Sequence, residues 1–128
     1  MKIAISGNIY MLPDIIEMQE LLEERKHKVI PTFEYLDQLE EINEKKRTKN
    51  RTSFFDKLKK CDALLVVNNS LKKGRENYIS GSSFLEMGFA HALGKKIFIL
   101  QDIPDLSYKD EIMAMKPIVL NGNLNKIR

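Results

Sequence analysis

The sequence predicts an α/β protein built on a parallel sheet, and three observations lead there. Short β-branched and apolar runs alternate with stretches of helical periodicity. One of those runs, Ala63-Leu-Leu-Val-Val67, is continuously apolar, as a strand covered on both faces must be. The length of 128 residues suits one domain and is too short for separate cores, so residues 1–128 are expected to form a single unit.

The elements follow in order. Lys2 to Ser6 form the first strand. Pro13 suits a first helical position, and Ile15, Met18, Leu21 and Leu22 recur at helical spacing, so a helix runs to about Lys26. Lys28 to Ile30 give a brief second strand, stopped by Pro31. From Glu34 to Lys60 the chain is mostly polar, with Leu36, Leu39 and Ile42, then Phe54, Phe55 and Leu58, at helical intervals. That pattern predicts two helical pieces separated by a basic connection, Lys45, Lys46, Arg47, Lys49 and Arg51. Ala63 to Val67 are the third strand, and a polar loop from Asn68 to Gly81 follows. Phe84, Leu85, Met87, Phe89, Ala90 and Leu93 make a largely buried helix that Gly94 closes at C′. Lys96 to Leu100 supply a fourth strand, Ser107 with Asp110 announce a short helix to about Met115, and Ile118 to Leu120 give a fifth strand. The expected architecture is a flavodoxin/Rossmann-like three-layer sandwich with a five-stranded parallel sheet in order 2-1-3-4-5. Such a sheet forms its ligand crevice where the order reverses, between the first and third strands. The loops reaching it are Gly7 to Met11 and Asn68 to Ser83.

Composition narrows the function. An apolar share of 43% and a charged share of 30% describe a globular chain. No apolar stretch approaches a membrane span, and the N-terminus has no signal-peptide layout, so a cytoplasmic protein with no membrane partner is expected. Cys61 is the single cysteine and precedes an apolar strand, which favours a buried, inert thiol. The net charge of +3 is modest. Lys45 to Arg51 read as a solvated connection, so a nucleic-acid partner is not expected, whereas Lys72, Lys73 and Arg75 adjoin the crevice, where attraction of phosphate and plain solvation explain them equally well. There is no dinucleotide fingerprint, no Walker-type Gly-Lys-Ser/Thr, no metal-ligand spacing and no defensible Ser-His-Asp set. No metal or organic cofactor is implied.

Two segments carry chemistry. In Ser6-Gly7-Asn8, Gly7 admits close backbone approach to a ligand and Asn8 offers donor and acceptor, although a plain strand-to-helix turn explains them equally well. In the second, Glu86 is the one carboxylate of an apolar helix, placed in its first turn, where the dipole and free amides favour its ionised form. An ionised carboxylate facing a crevice suits nucleophilic attack on a sugar carbon. Ser83-Phe-Leu-Glu86 also satisfies an S-x-x-E capping box, in which the glutamate only bonds back to the serine amide. Gly88 fits close helix packing, and His91 reads as a packing or surface histidine.

Gly81-Ser-Ser-Phe-Leu-Glu-Met-Gly-Phe-Ala90, followed by Ala92-Leu-Gly-Lys-Lys-Ile-Phe-Ile-Leu100, resembles the nucleoside 2-deoxyribosyltransferase superfamily, which includes nucleoside 5′-monophosphate N-glycosidases. Ile3-Ala-Ile-Ser-Gly7, Cys61-Asp-Ala-Leu-Leu-Val-Val67 and Tyr108-Lys-Asp-Glu-Ile112 fit the same layout, so the likeness spans nearly the whole chain. It implies that Glu86 attacks C1′ to form a glycosyl-enzyme, resolved by water or by another base. Gly7, Asn8 and Ser83 would line the substrate pocket. Ser80 stands where transferases of this kind commonly carry an aspartate and the monophosphate hydrolases a serine, which tilts the reading towards a 5′-phosphorylated substrate. The resemblance also implies a homodimer or larger assembly in which Met115, with Met113 nearby, completes a neighbour's pocket; core packing of both methionines is the alternative. The position of the usual second acid falls on Phe54, with Asp56 two residues on and Asp62 at the far end of a strand, so the general acid is unassigned. Ala4 replaces a common first-strand tyrosine, for which Tyr10 and Tyr78 are the available substitutes. The function expected is cleavage or transfer of the N-glycosidic bond of a nucleoside or nucleoside 5′-monophosphate. The alternative is a nucleotide-binding or sensor protein of the same fold without turnover.

Overall fold

The computed structural model describes residues 1–8, 11–31, 44–69 and 76–128. Within them the chain runs β1 (Lys2–Gly7), α1 (Leu12–Glu24), β2 (Lys28–Pro31), α2 (Glu44–Lys59), β3 (Ala63–Val67), α3 (Gly81–Ala92), β4 (Lys96–Ile99), α4 (Lys109–Ala114) and β5 (Ile118–Val119), with a final 3₁₀ turn at Leu124–Lys126. The strands pair in parallel in the order β2-β1-β3-β4-β5, as the alternating pattern predicts. Ser6 lies opposite Val66 and Gly7 opposite Val67, so the ends of β1 and β3 are level where the order reverses.

Side chains alternate across a strand, and the two faces of this sheet are covered by different helices. Ile3, Ile5, Ala63, Leu65, Val67 and Phe98 pack with Ile15 and Leu22 of α1 and with Leu124 and Ile127 near the C-terminus. Ala4, Leu64, Val66, Ile97 and Ile99 pack with Phe54 and Leu58 of α2, Met87 and Ala90 of α3, and Ile112 of α4. Every residue of β3 is buried, which accounts for its unbroken apolar run. No helix among the described residues is long and apolar enough to cross a membrane.

Two local expectations change. The basic stretch Lys45 to Arg51 is not a connection but the first half of α2. Lys and Arg are good helix formers, and Phe54 and Leu58 near the other end supply the packing that holds the helix down, so its polar half needs no apolar stripe of its own. The Thr48 and Thr52 hydroxyls donate to the carbonyls of Glu44 and Thr48, one turn back. The short helix α4 begins at Lys109 after Tyr108, which makes no side-chain cap, so Ser107 and Asp110 do not form the predicted start. The strong signal at the end of α3 is met: Gly94 has φ +69°, Gly94 N donates to the His91 carbonyl, and Lys95 N donates to the Ala90 carbonyl. The predicted helical piece at Leu36, Leu39 and Ile42 lies outside the described residues, as do Tyr10, Lys72, Lys73 and Arg75.

Candidate active site

Ser6 is the last buried residue of β1, 1% exposed, and its hydroxyl donates to Ser83 Oγ at 2.8 Å. Ser83 belongs to the first turn of α3. Its N–H donates to Ser80 Oγ at 3.2 Å, and Ser80 Oγ donates to Ser83 Oγ at 3.3 Å. Ser80 therefore caps α3, with the extended backbone of an N-cap (φ −67°, ψ 162°). The hydroxyls of Ser80, Ser83 and Ser6 join the end of the first strand to the start of the helix beyond the third.

This cap overturns the box expected from Ser83-Phe-Leu-Glu86. Because the helix starts at Gly81, Glu86 sits in its second turn, out of reach of the free first-turn amides that would hold it ionised. Ser83 and Glu86 are three residues apart and share a helix face, which brings Glu86 to the Ser6 side of the crevice. Its side chain is nine-tenths buried, and Oε2 has no hydrogen-bond partner among the described residues. Arg51, from α2, places Nη1 3.7 Å from Oε1. Burial pushes the Glu86 carboxyl up from 4.5 to about 7, while a hydrogen bond with Ser6 and the Arg51 guanidinium pull in the opposite direction. Desolvation wins because the guanidinium is distant and partly hydrated, whereas the carboxyl has lost most of its water. The helix start, expected to favour the ionised form, does not reach Glu86, and burial leaves its carboxyl poised between its two forms at neutral pH. A buried carboxyl with an unpartnered oxygen is expensive to keep, which makes Glu86 the candidate functional group of this region.

Gly7 has an internal reason to be glycine. A Cβ there would stand 2.8 Å from Ile15 Cδ1 and 3.1 Å from Cγ1, so the end of β1 lies directly on α1. Gly7→Ala is expected to cost about 1–3 kcal/mol by overpacking, readable as a lowered urea midpoint; an unchanged midpoint would show that Ile15 moves aside freely. Asn8 opens the turn into α1, its carbonyl accepting from Met11 N. Met115 packs against the core that α2, α3 and α4 share, as in the core alternative, while Met113 is 54% exposed. Tyr78 hydrogen-bonds with Tyr108, whose hydroxyl donates to the Ile79 carbonyl and whose ring lies 4.6 Å from that of Phe84. Phe54 is buried, His91 is exposed, and Asp62 lies at the opposite end of the sheet, accepting from Lys2 N. Asp56 faces away on the outer side of α2, where it lines a shallow depression with Lys49, Thr52, Ser53, Lys57 and Lys60. No three His, Cys, Asp or Glu side chains among the described residues gather as metal ligands do.

Sequence reasoning missed three residues here. Ser6 ends an apolar strand with a polar group, and Arg51 precedes Phe54 and Leu58 by three and seven residues, on the same helix face; both signals were present but faint. Asn68, the first residue after β3, is fully buried. Its Nδ2 donates to the carbonyls of Asn77, Gln101 and Asp102, and its Oδ1 accepts from Gln101 N at 2.8 Å.

No family model and no curated protein matches the chain. Solved structures do. A 2-deoxyribosyltransferase from Bacillus psychrosaccharolyticus matches at a TM-score of 0.62 and 15% identity, over 93% of this chain and 98% of that one. A CMP N-glycosidase from Clostridium botulinum matches at 0.58 and 18% identity, over 93% and 85%. A 2-deoxyribosyltransferase from Leishmania mexicana matches at 0.55 and 20% identity, over 77% and 63%. The chain has the fold of these enzymes. At such identities the fold is what is shared, and each activity named is that of the neighbour.

Proposed function

We propose that the protein cleaves or transfers the N-glycosidic bond of a nucleoside or nucleoside 5′-monophosphate, with Glu86 as the nucleophile. The observation that carries this reading is the buried Glu86 carboxyl with its unpartnered Oε2, set at the crevice between β1 and β3. The activities of the neighbours of like fold support it. In its ionised form one oxygen would attack C1′ as the C1′–N bond breaks, and Arg51, with Ser6 once its hydroxyl turns from Ser83 to the carboxylate, would stabilise that form until the bond forms.

The test is release of free base, read by chromatography, from a panel of nucleosides and their 5′-monophosphates, with wild type and Glu86→Ala side by side and with or without an acceptor base. Release by wild type alone supports the glycosidase, and base exchange the transferase. The pH dependence adds a sharper expectation. Because the nucleophile must be ionised, kcat/KM should climb about tenfold per pH unit below about 7 and level off above it. A rate that instead falls as pH rises through 7 would make Glu86 an acid and sink its role as nucleophile.

A nucleotide-binding protein without turnover is the second reading. It is favoured by one observation: among the described residues the charge acting on Glu86 is that of Arg51, with no second carboxylate beside it. Ligand binding with no base released by wild type would establish it.

A further inference from the structure

The ion pair at Glu86 is loose. Only Nη1 of Arg51 approaches the carboxyl, at 3.7 Å, well beyond the roughly 2.7–2.9 Å of a charge-assisted hydrogen bond. Oε2 gains no partner from it, and about a third of the Arg51 side chain, 34%, remains exposed. A guanidinium that served only to lock a carboxylate would meet both oxygens with its fork. Arg51 reaches instead from the solvent-facing helix α2 to a group almost closed from water, with most of its donors uncommitted to that group.

Charge balance says what those donors meet. If Glu86 is the nucleophile, as proposed above, its oxygen donates an electron pair to C1′ while the C1′–N pair leaves with the base, which takes a proton from water. The glycosyl ester so formed is neutral. Arg51 keeps its positive charge and has lost its nearest counter-charge, so a negative charge on the bound substrate that can take its place favours the intermediate. A charge on the sugar side of the substrate stays in place through the intermediate; a charge on the base departs with it. The hydroxide left by the first step then opens the ester, restoring the carboxylate and its pairing with Arg51.

We propose that Arg51 selects a nucleoside 5′-monophosphate, its guanidinium passing from Glu86 to the phosphate of the substrate as the glycosyl-enzyme forms. The planar fork of arginine suits phosphate oxygens, and both ends of the exchange are charge-assisted. This assignment rests on Glu86 as nucleophile for its chemistry, but the phosphate contact is measurable without turnover.

Calorimetry with the common ribo- and deoxyribonucleosides and their 5′-monophosphates should be run on wild type, Arg51→Gln, Arg51→Lys and Glu86→Gln. Arg51→Gln should lower the ratio of monophosphate to nucleoside affinity by about tenfold or more, and Arg51→Lys should restore part of it. Glu86→Gln should bind the monophosphate several-fold more tightly than wild type, because the guanidinium has lost its competitor. An unchanged affinity ratio in folded Arg51→Gln, verified by circular dichroism, overturns the proposal. Base release at pH 9, where Glu86 is ionised, separates the sources of charge. A fall in kcat/KM confined largely to monophosphates supports the phosphate contact, while an equal fall for nucleosides assigns Arg51 to the leaving base and overturns it. Lost discrimination in binding without any base release keeps the phosphate contact and sinks the catalytic reading. Base release with an unchanged ratio does the reverse.

Discussion

Glu86→Gln is expected to raise stability at pH 8 while removing base release. The Glu86 carboxyl ionises near 4.5 in the unfolded chain and near 7 in the fold, because burial opposes the charge. Between those values the folded state holds a proton that the unfolded state has lost, so stability falls as pH rises from about 4.5 to about 7 and stays lowered above. The shift corresponds to a penalty of about 3 kcal/mol, which a neutral amide of the same shape avoids, less whatever its own N–H groups lose by burial. Thermal melts should therefore place the variant several degrees above wild type at pH 8 and close to it at pH 4. Activity should fall about 10³-fold or more, since the amide oxygen is a poor nucleophile. A variant less stable than wild type at pH 8 would mean that the Arg51 pairing outweighs desolvation. Base release that survives the substitution would place the nucleophile elsewhere.

The second large effect concerns Asn68. Its amide holds the carbonyls of Asn77, Gln101 and Asp102, and its carbonyl receives the Gln101 N–H, which ties the end of β3 to the residues after β4 and to Asn77 ahead of α3. Asn68→Ala leaves those backbone groups without their partner in a fully buried position, at a cost on the order of 3 kcal/mol. Asn68→Asp should be at least as harmful, because it sets a carboxylate against carbonyl oxygens while keeping only the bond from Gln101 N. Urea unfolding gives the cost directly. A loss below about 1 kcal/mol would show that water replaces the side chain and that the loops hold themselves. A loss of the expected size, with base release also reduced, would show that the clamp positions the loop leading to Ser80 and α3.

The sequence by itself determined the layers and the sheet. Ala63 to Val67 could satisfy its apolar side chains only between two covered faces, and the helical spacing of Ile15 and Leu22, or of Met87 and Ala90, provides those covers. Strand order followed, and so did the closure of α3 at Gly94, whose conformation few other residues accept. Glu86 was legible as a candidate because a lone carboxylate in an apolar helix is conspicuous. Its state was not. The S-x-x-E spacing pointed to a capping box with an ionised glutamate, but Ser80 takes the cap, the helix begins at Gly81, and both explanations depend on which serine wins.

Only the tertiary structure decided the chemistry of the site. Ser6 and Ser83 are 77 residues apart and meet because parallel pairing sets the end of β1 beside the loop that follows β3. Arg51 reaches Glu86 because its basic segment is helical and Phe54 and Leu58 fix the rotation of that helix, a consequence of packing at one end that local periodicity cannot report. Ionisation follows from the water that each neighbour removes and the charge that each supplies. Those quantities belong to distances between elements, and a linear sequence holds the elements but not the distances.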